Sequence, residues 1–191
     1  MTREKIIEKV QLCLDEVNGL SEGRTMLDPQ IEGQLDSSAV SLLMLLPSFL
    51  CGPVSATPAV SNNILTLPSD FLKLGRVRLN TWDNYINIPL PESHPRMAYE
   101  NYSVLKAHAG NPLAVIKTKD GGKSLYVAPT GELEEFTYVK RPSAAEVLPD
   151  DIIDMLSWHT AERIYRTHGE VQLAQVCRLH LDELVQNAQK P

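Results

Sequence analysis

The chain has few cysteines, three in 191 residues, and no two of them are near each other. Cys13, Cys51 and Cys177 are odd in number and widely spaced, which leaves neither a closed disulfide framework nor a C-x-x-C metal knuckle. They read as small buried hydrophobes of a reducing compartment. Long hydrophobic runs are missing as well. The best one, "AVSLLMLLPSFL" from Ala39 to Leu50, falls short of the roughly 20 residues that a membrane span needs, and Pro47 interrupts it. The opening "MTREKIIEKV" is charged where a secretory leader would be apolar, so neither a leader nor a membrane partner is expected. Bases are outnumbered, 18 Lys and Arg against 24 Asp and Glu, for a net charge of -6. That balance argues against a dedicated nucleic-acid binder, which needs clustered bases to neutralise phosphate. Aromatic content is only 6%.

What remains is ordinary for a globular protein: 43% hydrophobic and 22% charged residues, enough to bury a core. The charge is unevenly spread. Residues 1–63 hold four bases against eight acids, whereas residues 64–142 hold ten bases against eight acids. The middle of the chain therefore differs in kind from its start.

Hydrophobic spacing divides the chain further. Ile6, Val10, Cys13, Leu14 and Val17 recur at helical intervals after Thr2, and Gly19 is placed to end that helix. Asp28 and Pro29 look like an N-cap and first helical residue. Ile31, Leu35, Ala39, Leu42, Leu43 and Leu46 then form one stripe up to Pro47. Residues 51–63 lose periodicity and read as a connector. Beyond it, "ILTL", "GRVRL" and "NYINIPL" alternate with a period of two, with a capped helical turn expected at Ser69–Leu72. "PLAVIKTKDGGKSLYVAP" predicts a hairpin turning at Asp120-Gly121-Gly122, and "EFTYVKRP" a further strand. Residues 95–109 are weakly helical. Pro149 with its following acids starts a third long helix. After Gly169, the steps of three and four through Ala174, Cys177, Leu181, Leu184 and Ala188 mark a fourth with a narrow apolar seam. The expected class is α+β: a helical bundle formed by the N- and C-terminal helices (1–63 and 143–191), with a central small antiparallel β insertion (64–142). The terminal helices should pack on each other, because neither pair alone has enough partner surface.

Chemistry-bearing patterns are sparse. His159 and Glu162 lie one helical turn apart in "WHTAER", but this supplies at most two metal ligands and reads better as partly exposed polar positions on an amphipathic helix. "DGG" lacks the context of a phosphate-binding loop. Acid pairs such as Asp150-Asp151, Glu134-Glu135 and Asp182-Glu183 sit at helix starts, strand edges or solvated faces. No catalytic, cofactor-binding or metal-binding residue is assigned, and no cofactor is expected. Trp82, Tyr85, Tyr99 and Tyr102 could stack on bases, although a core for the β unit explains them more simply. Arg76 with Arg78, and Lys117 with Lys119 and Lys123, could present positive ribs to a partner. Solvated edge charges that deter aggregation remain an equal alternative.

Three stretches together resemble a known family. Leu67 to Phe71 ("LPSDF"), Tyr138 to Pro142 ("YVKRP") and Leu148 to Asp151 ("LPDD"), in that order between residues 63 and 168, are similar to motifs of the head-to-tail adaptor proteins of tailed bacteriophages. That family includes the tail tubular A-type and portal-associated ring proteins of short-tailed and crAss-like phages. The resemblance implies a non-enzymatic virion subunit at the head–tail junction, assembled in the host cytoplasm. It implies a homo-oligomeric ring, a dodecamer matching the portal, that docks on the portal protein and on tail or further ring proteins. DNA would pass through without sequence-specific binding, helped if the lumen is acidic. A ring needs unlike patches on each subunit. Arg76, Arg78, Lys117, Lys119, Lys123 and Arg141 are the interface candidates. The rival readings are a small nucleic-acid- or protein-binding module, and a metal-dependent enzyme drawing on His159, Glu162 and Asp154.

Overall fold

The computed structural model describes residues 1–18, 24–100, 102, 105–119 and 122–190. In chain order the elements are α1 (Arg3–Asn18), α2 (Arg24–Leu45), β1 (Val54–Ser55), β2 (Val60–Ser61), β3 (Ile64–Thr66), β4 (Phe71–Leu79), β5 (Leu90–Pro91), α3 (Arg96–Tyr99), β6 (Leu113–Lys119), β7 (Gly122–Ala128), β8 (Leu133–Lys140), α4 (Asp150–Thr167) and α5 (Val171–Ala188). Two compact units result: Met1–Cys51 with Arg141–Pro191, and Gly52–Lys140.

The helical unit follows the apolar spacing. Ile6, Val10, Cys13 and Leu14 of α1 and the whole Ile31–Leu46 stripe of α2 are buried. Helix α2 begins at Arg24, upstream of the Asp28–Pro29 start that the sequence suggests, and carries Pro29 inside it. It stops at Leu45, just before Pro47, where a single 3-10 turn, Ser48–Cys51, follows. The first helix ends at Asn18, and the terminator assigned to Gly19 lies outside the described residues. Helix α4 packs against α1, α2 and α5, and is buried on several sides. Gly169, with φ 79°, ends it: the Glu170 N–H bonds the Tyr165 carbonyl at 2.9 Å and the Gly169 N–H that of Arg166 at 3.2 Å. The seam of α5 is buried at Ala174, Cys177 and Leu181. Cys13 and Cys177 share one core cluster with Tyr165, and burial pushes both thiols up to about 12, which keeps them protonated.

A polar clasp joins the N-terminal and C-terminal segments of this unit. Arg3 Nη1 donates to Asp36 Oδ1 and to Glu146 Oε1, both at 3.1 Å, while Asp36 Oδ1 also accepts the Ala145 N–H at 3.0 Å. The hydrogen bond from Arg3 holds the Asp36 carboxyl below its usual range, and Asp36 in turn raises the guanidinium.

The second unit corrects the expected fold. Among the described residues the chain is α+β with five helices and two sheets totalling eight strands, so a helical bundle carrying a small antiparallel insertion is not what forms. One sheet has the order β1-β8-β4 and the other β2-β3-β7-β6-β5. The pairing of β5 with β6 is parallel. The sheets share a core of Leu65, Phe71, Leu74, Val77, Leu79, Trp82, Leu125, Val127 and Phe136. A second cluster, Ala107, Leu113, Val115 and Ala128, takes the residues of β6 and β7 that point the other way. The run "LAVI" is therefore buried on both faces and shows no alternation.

Several expectations fail here for local reasons. The aperiodic connector supplies β1 and β2, whose two residues each are too few to show a period. Ser69 and Asp70 form a turn that leads straight into β4 at Phe71, and Asp70 Oδ1 accepts the Tyr138 hydroxyl at 2.9 Å instead of capping a helix. "NYINIPL" gives one bridge, Val77 to Ile86, and the short β5. Among its described residues, the region 95–109 holds one helical turn, α3. Strands β6 and β7 pair as a hairpin from Leu113–Ala128 to Lys119–Gly122, while Asp120 and Gly121 of the assigned turn lie outside the described residues.

Candidate functional site

The basic rib of β4 owes its position to a bulge. Leu74 faces Tyr138 and Arg76 faces Thr137, so two steps on β4 match one on β8. Gly75 fills the extra position. The shift keeps Leu74 and Val77 both in the core, three residues apart, and turns Arg76 and Arg78 away from it. Both arginines meet glutamates of β8: Arg76 pairs with Glu135, and Arg78 Nε stands 3.0 Å from Glu134 Oε2. The positive rib is thus matched by a negative one. Such half-exposed pairs contribute about 0–1 kcal/mol each, and they leave little free charge for phosphate.

The other candidates are dispersed. Lys117 Nζ lies 4.6 Å from the Tyr126 ring centroid, a cation–π contact. Lys119 ends β6 opposite Gly122. Lys123 is exposed on β7, and Arg141 is exposed just beyond β8. Arg76 and Arg78 lie on the three-stranded sheet, and Lys117, Lys119 and Lys123 on the five-stranded one. Of the four aromatics grouped by the sequence reading, only Trp82 is in the core; Tyr85, Tyr99 and Tyr102 are exposed. Arg76 sits over the Tyr85 ring at 6.0 Å.

Strand edges offer little to a neighbour. The outer strands β1, β2 and β5 have two residues each, and Ile86 bonds both backbone groups of Val77 on the free side of β4, at 2.8 and 2.9 Å. Exposed apolar side chains offer more. Ile88 is 76% and Phe49 66% exposed; Tyr85 lies near Ile88 in sequence, and Met44 and Leu45 precede Phe49. No sequence pattern marks these side chains, because each interrupts or follows an element instead of repeating along it.

A buried polar cluster in the helical unit was also missed. His159 and Glu162, read as partly exposed, are 5% and 4% exposed, since α4 is covered by its neighbours. Ser41 Oγ lies 3.1 Å from His159 Nε2, and His159 Nδ1 lies 3.6 Å from Glu162 Oε2. Arg166 grips Glu162 through Nη2 at 2.8 Å, and Arg178 Nη1 stands 3.9 Å from it. Asp154 does not join them and bonds Lys9. Ser41 sits inside α2, where its backbone N–H is committed to the helix. Among the described residues no three or more His, Cys, Asp or Glu side chains converge on a metal position.

This cluster predicts an acid limb of stability. Burial lowers the His159 pKa below 6.5; Glu162 opposes the shift, while Arg163 and Arg178 reinforce it. A base with a lowered folded pKa binds its proton more readily once unfolded. The contribution is therefore whole above pH 6.5 and is lost as pH falls from there through the folded value. Thermal melts of the chain should drop between pH 7 and 5, and His159→Gln should flatten that drop. An unchanged slope in the variant would assign the acid limb to other groups.

No protein-family model matches the chain, and no curated protein matches it. No helix among the described residues is long and apolar enough to cross a membrane.

Proposed function

We propose that the chain is a structural subunit that assembles with copies of itself into a ring, as a head-to-tail connector of a tailed phage that docks on the portal and extends the DNA channel. The observation that carries this reading is the exposure of large apolar side chains on both units, Met44, Leu45 and Phe49 on one and Tyr85, Ile88 and Tyr102 on the other. Exposed apolar side chains on different surfaces suit heterologous contacts, which close into a ring where the rotation between copies allows it. Two of the three motifs that resemble the adaptor family, Leu67 to Phe71 and Tyr138 to Pro142, also meet. Phe71 stacks on Tyr138 at 5.9 Å, and Asp70 bonds the Tyr138 hydroxyl and lies 3.7 Å from Lys140. The pairing of Arg76 and Arg78 with glutamates fits a protein past which DNA slides better than one that holds it.

Electron microscopy of the chain mixed with portal rings tests the proposal. An added layer with the portal's rotational symmetry is the expected result. Bare portals at micromolar chain would contradict it, and salt-dependent DNA binding by the free chain would favour the nucleic-acid module instead.

A further inference from the structure

The two oxygens of Glu162 are held differently. Oε1 accepts Arg166 Nε at 2.9 Å and Nη2 at 2.8 Å, within α4. Oε2 is buried and receives no hydrogen bond, yet two groups stand around it: His159 Nδ1 of α4 at 3.6 Å and Arg178 Nη1 of α5 at 3.9 Å. The neutral imidazole carries its proton on Nδ1, towards the carboxylate, and accepts the Ser41 hydroxyl on Nε2 at 3.1 Å. An uncharged N–H is the weaker claimant, so the guanidinium keeps Oε2 and ties α5 to α4. A second proton turns the ring into a cation that takes Oε2 from the nearer position, and it forces the Ser41 hydroxyl to turn its hydrogen away. Arg178 then falls back on Asp182 Oδ1, 3.0 Å away on its own helix. We propose that His159 and Arg178 compete for this oxygen, and that protonation of the imidazole releases α5 from α4 while α1, α2 and α4 stay packed.

The surroundings of the ring favour release over accommodation. Arg163 of α4 and Arg178 of α5 add positive charge to that of the imidazolium. The Cys177 thiol of α5 stays protonated and cannot balance it. Helix α2 brings hydroxyls, Ser41 and the buried Ser38 one turn before it, and no charge among the described residues. Helix α1 sends Lys9 to Asp154, more than a turn away along α4. Moving α5 aside removes Arg178 and lets water reach the cation. Helix α5 buries three residues where α4 buries eleven, which makes it the easier of the two to open. Once opened, His159 regains its ordinary affinity for protons, so release grows as pH falls below 6.5. The latch lies within one compact unit and does not depend on assembly.

Native-state hydrogen exchange of the full chain, read by mass spectrometry as protection factors at pH 7 and 5.5, tests the latch. Protection of Val171–Ala188 should fall at least about tenfold at the lower pH, while Ile31–Leu45 and Ile152–Tyr165 keep theirs to within about threefold. His159→Gln offers Ser41 a partner and gains no proton, so its α5 should be equally protected at both pH values. Arg178→Gln, at a half-exposed position, should show a loosened α5 already at pH 7. His180→Gln removes the other imidazole at this interface, which stacks on Trp158 at 4.3 Å, and should fall as the native chain does. Equal loss in every helix, no loss in α5, or a fall that survives His159→Gln or vanishes with His180→Gln overturns the proposal. Native protection of α5 at pH 7 in Arg178→Gln overturns it as well.

Discussion

Replacing Trp82 by Ala is expected to destabilise the Gly52–Lys140 unit by about 4 kcal/mol. The indole is buried in the core shared by both sheets, among Leu79, Phe136 and their neighbours. Its Nε1–H donates to the Pro129 carbonyl at 2.9 Å. Around it the residues before and after strands β4 and β8 are laced together: Thr81 Oγ1 donates to the Thr130 carbonyl, and Asn80 Oδ1 accepts the Glu132 N–H, both at 3.0 Å. Truncation removes the apolar contacts, leaves a cavity between two sheets that cannot both collapse onto it, and strips Pro129 of its donor. Urea unfolding followed by circular dichroism should show a midpoint lower by about 2 M. Trp82→Phe keeps most of the packing and should lose only about 1–2 kcal/mol, for the missing donor. A midpoint for the alanine variant within about 0.3 M of native would mean that the sheets do not depend on the indole.

Gly75→Ala should cost about 3 kcal/mol although it adds a single methyl group. A Cβ at this position would lie 2.5 Å from Thr137 Oγ1 and 2.9 Å from the Thr137 carbonyl oxygen. The hydroxyl could rotate away only by giving up the Arg76 N–H that it accepts at 3.0 Å. The carbonyl belongs to the central strand of its sheet and has nowhere to go. The bulge would have to open, and opening it by one residue would carry Val77 out of the core and Arg76 into it. Thr137→Ala removes the first collision and leaves the second. The double variant should therefore be less destabilised than the sum of the single ones, as a double-mutant cycle by urea unfolding would show. Simple additivity would mean that the glycine is not held against Thr137.

The helical faces were legible because their spacing is long enough to repeat. The Ile31–Leu46 stripe spans more than four turns, and the α5 seam advances by threes and fours until it leaves the core near Leu184. The sheets were underestimated for the opposite reason. Two-residue strands carry no period, the doubly buried "LAVI" does not alternate, and the β5–β6 pairing joins segments that no hairpin connects. Register was hidden too, so Arg76 and Arg78 could be placed on one face while the glutamates that face them could not. His159 and Glu162 were misjudged because a polar residue on a helix covered by three others looks, in sequence, like one on a solvated face. The exposed apolar side chains Phe49 and Ile88 have no periodic signature and became visible only through their exposure.

The central claim is that copies of this chain join through unlike surfaces around a closed axis. A cryo-electron microscopy reconstruction of the chain on portal rings tests it most directly, through the symmetry of the contact between neighbouring copies. The account predicts that each copy presents two different surfaces, one to each neighbour, related by rotation about the channel. A two-fold contact using the same surface on both copies, or isolated copies scattered on the portal, would contradict it.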